Sequence, residues 1–299
     1  MPLLQPGDLV RFVSPASRAE PGAIERRAEV LRSWGLRVEI GPHAFDKMGY
    51  LAGSDEVRLA DLTNALLDPE VRAVFTTRGG KGSYRIAHRL PFDAIDRDLK
   101  PLIGFSDITA LQMALWRNSA ALSVHGALTG SNDGQLSDIA ARSLRSVLME
   151  SEPITVKSDP AIESGALTTE GKASGTLIGG SLTMLATAAG WALPSLRGAI
   201  LLIESDGIAI GQFERDLTML VRAGHLEGIA GVAIGHISGT PPNPPIDAIG
   251  LLRQYLEGFG VSILGGLPIG HDPDARSVLI GAQTQIDADS GTLTQPARA

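Results

Sequence analysis

The chain has no cysteine among its 299 residues, which excludes disulfides, thiolate catalysis and cysteine-ligated metals. It also lacks an excess of basic charge: 26 Lys and Arg stand against 33 Asp and Glu, a net charge of -7. Phosphate-driven nucleic-acid binding needs a basic surface, so that class is disfavoured. No apolar run approaches the roughly 18 residues of a membrane span. The opening Met1-Pro2-Leu3-Leu4-Gln5-Pro6-Gly7-Asp8 has no basic segment followed by an apolar one, so no signal peptide is expected there. Repeats, low-complexity tracts, His-x-x-x-His and His-Glu-x-x-His are all missing, the last two disfavouring a zinc peptidase. The expectation is a cytoplasmic protein with no membrane and no nucleic-acid partner. Hydrophobic residues make up 43% and charged residues 20%, enough apolar material for a real core and too little charge for disorder.

The first half alternates strand and helix signals. Leu9–Val13, 37–40, 73–76, 101–103 and 121–124 read as short buried strands, separated by helical spacing at Ile24, Ala28 and Leu31, at Leu59, Leu62 and Leu66, and from Ile108 to Trp116. Such alternation predicts a mostly parallel sheet covered by helices on both faces. Residues 151–170 break the rhythm with Glu152-Pro153, Asp159-Pro160 and Ser164-Gly165, and are read as a linker. The expected organisation is therefore an N-terminal domain over 1–150, a linker over 151–170 and a C-terminal domain over 171–299. The last carries buried strands at 199–203 and 232–234, the stiff loop Pro241-Pro242-Asn243-Pro244-Pro245, and short strands between Ser277 and Thr294 with a turn at Asp289-Ser290-Gly291. Fewer helices and more short strands there suggest a smaller, mixed α/β or barrel-like domain.

Four features could carry chemistry. In Gly104-Phe105-Ser106-Asp107 a strand ends, the chain turns, and a helix begins, as a nucleophile elbow requires. The match to Gly-x-Ser-x-Gly is partial because Ile108 stands where the second glycine belongs; an N-cap at Ser106 fits the same spacing. Arg78-Gly79-Gly80-Lys81-Gly82 follows a strand and could aim backbone N–H groups at an oxyanion, or be a tight turn. It is neither a Walker A loop nor Gly-x-Gly-x-x-Gly, since Arg85 occupies the third glycine place. Of six histidines, His43 and His88 look peripheral and His225 reads as a helix C-terminal charge. His125, His236 and His271 lie at or beside the ends of apolar runs, and spacing does not choose a general base among them. Glu204 ends the run Ile200–Ile203, where a carboxylate is costly unless paired; a histidine or Arg215 could be its partner.

Taken in order, these segments resemble the LD-carboxypeptidase family, the muramoyltetrapeptide carboxypeptidases. The resemblance runs through Pro6-Gly7-Asp8, Ser14-Pro15-Ala16-Ser17, Tyr50–Asp55, Arg78-Gly79-Gly80, Ile103–Asp107, His125-Gly126, Leu177–Gly180, Leu202-Ile203-Glu204 and Gly265–His271. It implies a Rossmann-like N-terminal domain carrying Ser106 as nucleophile, and a C-terminal domain carrying Glu204 and His271 as the acid and general base of a triad. The oxyanion donors would be the backbone N–H groups of Gly80 and Asp107. The implied reaction is acyl transfer, releasing D-alanine from a cytoplasmic murein tetrapeptide in cell-wall recycling, with no metal or organic cofactor and commonly in a homodimer. Three positions depart from the family's habit: Lys81 where an aromatic residue is common, Ser181 where asparagine is common, and Ala127 where proline is common. They bear on substrate subsites rather than on the triad. Two other readings compete. One is a microcin-immunity type of serine peptidase cutting an aminoacyl-nucleotide amide, which Gly82 disfavours. The other is a catalytically silent α/β protein that binds peptides.

Overall fold

The computed structural model describes residues 1–126, 137–241, 243 and 245–298. Ala127 and the loop prolines Pro242 and Pro244 lie outside the described residues. In chain order the first half gives β1 (Leu9–Val13), α1 (Pro21–Ser33), β2 (Arg37–Ile40), α2 (Asp55–Leu67), β3 (Val71–Thr76), α3 (Phe92–Ile95), β4 (Leu102–Gly104), α4 (Thr109–Ser119), β5 (Ser123–His125) and α5 (Asp138–Met149). The second half gives β6 (Ile154–Lys157), β7 (Lys172–Ser181), α6 (Leu182–Ala188), β8 (Ala199–Asp206), α7 (Ile210–Arg222), β9 (Gly231–Ser238), α8 (Ala248–Leu256), β10 (Ser262–Leu264), β11 (Val278–Ile280), β12 (Gln283–Asp287) and β13 (Thr292–Gln295).

Local chemistry explains the boundaries that matter for the site. In β1, Leu9, Val10, Phe12 and Val13 are all buried, which a strand covered on both faces requires. Ser14 and Pro15 end it, and α1 starts at Pro21, where the missing N–H costs nothing. Ser54 caps α2, its side chain accepting from the Val57 N–H at 3.3 Å, with Asp55 and Glu56 in the first turn favouring the helix dipole.

Two sheets result. The first has the order β11-β5-β4-β3-β1-β2, and every pair in it is parallel except β11 with β5. From β5 to β2 this is a doubly wound arrangement whose strand order reverses between β1 and β3. In such sheets ligands bind beyond the carboxyl ends of the strands at that reversal. The loops after β1, β3 and β4 all open there. The second sheet has seven strands in the order β10-β9-β8-β7-β12-β13-β6, with β7 to β10 parallel and the β12, β13 and β6 end antiparallel.

The second half is mixed α/β as expected, with two refinements. Its seven-stranded sheet is open, with β10 and β6 at its two edges, so no closed barrel forms. The stretch 151–170 is not simply a linker: Ile154–Lys157 forms β6, pairing with β13 across the turn-rich surroundings that mask it. Its burial alternates, Ile154 and Val156 in, Thr155 and Lys157 out, a signal too short to stand out among prolines. β11 also crosses back: Val278 pairs with His125 and Ile280 with Ser123 in the first sheet. No described helix is long and apolar enough to cross a membrane.

Candidate active site

β4 ends at Gly104, and a short 3₁₀ turn, Ser106–Ile108, leads into α4. Ser106 has φ 62°, in the left-handed region. That conformation costs a residue with a β-carbon about 1–2 kcal/mol, so neighbouring contacts must hold it. They are visible. Gln112 Nε2 donates to the carbonyls of Gly104 at 2.9 Å and Val124 at 3.1 Å, tying α4 to β4 and β5. The Asp107 carboxylate accepts from the Ser83 N–H at 2.8 Å, and Ser83 Oγ donates to the Asp107 carbonyl at 2.5 Å. Burial pushes the Asp107 carboxyl up, against the bonds from Ser83 and Gly82 that favour its charge.

Those bonds couple the elbow to the glycine turn after β3. A Cβ placed on Gly79 would lie 2.9 Å from Ser106 Cβ and 3.3 Å from the Asp107 nitrogen, so only glycine lets the turn approach this closely. Gly80 follows at φ +94° and faces Ser17, whose N–H donates to the Gly79 carbonyl at 3.2 Å. Sequence reasoning singled out Gly80 and passed over Gly79 as the residue set against the serine.

Glu204 is fully buried at the end of β8. Its Oε2 lies 2.6 Å from His271 Nδ1, while Oε1 has no hydrogen-bond partner. Arg215 instead donates to Gln212 at 2.8 Å. The loop bearing His271 runs back along β9, the Leu267 N–H donating to Ile234 and the His236 N–H to Ile269. Gly270, at φ +112°, lets it close, since a Cβ there would come 2.8 Å from Glu204 Oε2. Burial lowers the affinity of His271 for a proton, but the Glu204 charge, its hydrogen bond and the Asp206 charge outweigh that, and the net shift is upward from 6.5. With Nδ1 engaged by Glu204, Nε2 is left for a reacting group.

The other histidines are elsewhere. His125 is fully buried with both ring nitrogens unpartnered, and burial chiefly, with His271, lowers its pKa to about 4 despite Glu204. It meets the Phe105 ring edge-on, centroids 6.1 Å apart, while the other neighbour of that ring is His271 at 4.8 Å. His236 lies 3.6 Å from Asp272 in a separate cavity of about 960 Å³ that contains none of the elbow. His43 pairs with Asp46 at the surface, His88 packs against Trp191, and His225 follows α7.

Ser106, Phe105, Gly79, Gly80 and His271 line one cavity of about 500 Å³ between the two sheets' loops, together with Arg78. It is smaller than the cavity that holds His236, Asp272 and three serines, but it is the one that brings a serine in the left-handed conformation together with the imidazole paired to Glu204. Ser106 and His271 share it without a hydrogen bond between them, a spacing common before substrate tightens a site. Neither Lys81 nor Ser181 is among its described lining residues; the Lys81 N–H donates to Ser17 Oγ and the Ser181 N–H to Thr109 Oγ1.

This fold and this cavity define a serine-type hydrolase of doubly wound α/β architecture. Residues 10–126 match the LD-carboxypeptidase N-terminal domain and residues 174–286 the LD-carboxypeptidase C-terminal domain. A Bacillus subtilis protein named as a murein peptide carboxypeptidase is 31% identical over 296 residues, covering 97% of this chain and 92% of its own. The muramoyltetrapeptide carboxypeptidase of Oxalobacter formigenes superposes with a TM-score of 0.85 at 26% identity, over 96% of this chain and 98% of its own. A point mutant of the microcin C7 self-immunity protein MccF, in complex with adenosine monophosphate, shares the fold with a TM-score of 0.88 at 22% identity, over 99% of this chain and 98% of its own. The chain belongs to the LD-carboxypeptidase family and is a serine-type carboxypeptidase.

Proposed function

We propose that this carboxypeptidase releases terminal D-alanine from a cytoplasmic murein tetrapeptide, cutting the amide between the L-centre of a diamino acid and the D-residue. The observation that carries the reading is the His271–Glu204 pair, 2.6 Å across, facing the cavity into which a strained Ser106 opens. Ser106 Oγ attacks the scissile carbonyl while His271 Nε2 takes its proton. Glu204 holds the imidazole's tautomer and stabilises the imidazolium that forms. The tetrahedral oxyanion meets the N–H groups of Gly80 and Asp107, which the Gly79 contact and the Asp107–Ser83 bonds hold in register. His271 then returns its proton to the departing D-alanine nitrogen, and water repeats the sequence on the acyl-enzyme.

The test is incubation of the purified protein with a murein tetrapeptide and assay of free D-alanine, which is expected to accumulate. Cleavage of an aspartyl-nucleotide amide with no release of D-alanine would replace this reading with the microcin-immunity one. Binding without cleavage of either would replace it with the silent peptide binder. The same assay reads the base. His271 must be neutral to accept a proton, and its pKa is raised, so kcat/KM is expected to climb with pH through a midpoint above 6.5. A midpoint below that value would assign the limb to a different group.

A further inference from the structure

Two arginines in the same cavity are unused by this mechanism. Arg27, on the buried face of α1, is 5% exposed, and Arg78 sits immediately before Gly79. Arg27 donates to the Thr77 carbonyl, its Nε has no partner, and the nearby charges it feels are those of Arg26 and Arg78. Burial, with those two like charges, drives its pKa down to about 10. No described residue forms an ion pair with Arg27 or Arg78. None of the cavity's acids pairs with either arginine: Glu20 pairs with Arg18 at 2.6 Å, Asp206 accepts from Ser238 Oγ at 2.7 Å, and Asp272 accepts from the Asp274 N–H at 2.8 Å. A buried cation without a counter-charge is costly, and an arriving anion offsets that cost.

Resting on the function proposed above, we infer that Arg78, backed by Arg27, forms the subsite for the substrate's terminal carboxylate and so makes the enzyme an exopeptidase. The covalent geometry fits. In a scissile amide the carboxylate carbon of the leaving residue is three bonds from the attacked carbonyl carbon, at most about 4 Å away. Arg78 is the residue next to the glycine that packs on Ser106, so its guanidinium can meet that carboxylate while the carbonyl is at the nucleophile. A guanidinium offers a planar pair of N–H donors matched to two carboxylate oxygens. Chain continuation past the D-residue would leave both arginines facing a neutral amide.

The experiment compares a murein tetrapeptide ending in D-alanine with the same peptide ending in D-alaninamide. Wild type is expected to prefer the free acid by about 50-fold in kcat/KM. Arg78→Gln, an exposed position that should fold normally, is expected to shrink that preference to within about threefold, by losing rate on the acid. Equal turnover of acid and amide by wild type, or a preference retained in Arg78→Gln, overturns the inference. Absence of turnover on either peptide would instead overturn the murein reading. The subsite is then judged by calorimetry of the Ser106→Ala protein with N-acetyl-D-alanine and its amide. Binding of the acid alone, lost on adding Arg78→Gln, supports the subsite; equal binding of the two overturns it.

Discussion

Ser106→Ala is expected to lower D-alanine release at least about a thousandfold, because the nucleophile of a triad acts as a unit with its base and removing it leaves only binding and the oxyanion donors. The fold should survive. Ser106 Oγ makes no hydrogen bond to a described residue, and the turn is held by Gln112, Asp107 and Ser83 rather than by the serine hydroxyl. Ser106→Gly supplies a control that separates chemistry from structure. It is equally inactive, yet glycine has no β-carbon to strain at φ 62°, so its unfolding free energy should exceed that of Ser106→Ala by about 1 kcal/mol. The measurements are D-alanine assay and thermal or urea unfolding on the three proteins. Release by Ser106→Ala at the wild-type rate would remove Ser106 from the mechanism. A glycine variant less stable than the alanine one would show that the backbone is not strained there.

Glu204→Gln should cost about a thousandfold or more in kcat while changing stability little. The carboxylate is fully buried with Oε1 unpartnered, so a neutral amide of the same shape is easier to bury than the charge it replaces. What is lost is the fixed tautomer of His271 and the counter-charge to its imidazolium. The substitution also carries a signature that mere damage would not. Glu204 is the main group raising the pKa of His271 against burial; without its charge, burial prevails and the midpoint of the rising limb should move to lower pH. A rate–pH profile on both proteins decides the matter. An unmoved midpoint, or a rate within tenfold of wild type, would mean that Glu204 only packs against the loop.

The first sheet was largely legible because β1, β3 and β4 are short apolar runs that stop before Ser-Pro, Gly-Gly and Gly-x-Ser, and its helices carry their own spacing. In the second sheet the buried runs of β8 and β9 were legible in the same way, but its antiparallel end was not fully so. β6 is four residues long and is defined by β13, a partner more than a hundred residues away, so no local window contains its signal; β11 falls among the short strands expected after Ser277, but its pairing with β5 in the first sheet has no local signal either. The site follows the same divide. Ser106 stands out locally by its strand–turn–helix setting, and Glu204 by a charge at the end of an apolar strand. Choosing His271 over His125 and His236 depends on which imidazole reaches Glu204, a tertiary fact that sequence spacing could not supply and that resemblance alone anticipated. Gly79 and the Asp107–Ser83 bonds escaped for a different reason: a glycine needed for close approach is indistinguishable from a turn glycine until the approaching atoms are known.

β11 gives the site a mechanical character. Six residues after Asp272 the chain becomes β11, an edge strand of the sheet whose β4 leads into Ser106, and then returns as β12 to the other sheet. Base and nucleophile are thus fastened to a common hydrogen-bonded ladder a few residues from each. Any hinged opening of the two sheets must be absorbed in the short segments on either side of β11, while Val278 stays paired with His125. Those short tethers limit how far His271 can travel from Ser106. A cleft tied in this way suits a small, extended peptide end and leaves discrimination to the fixed charges along its walls.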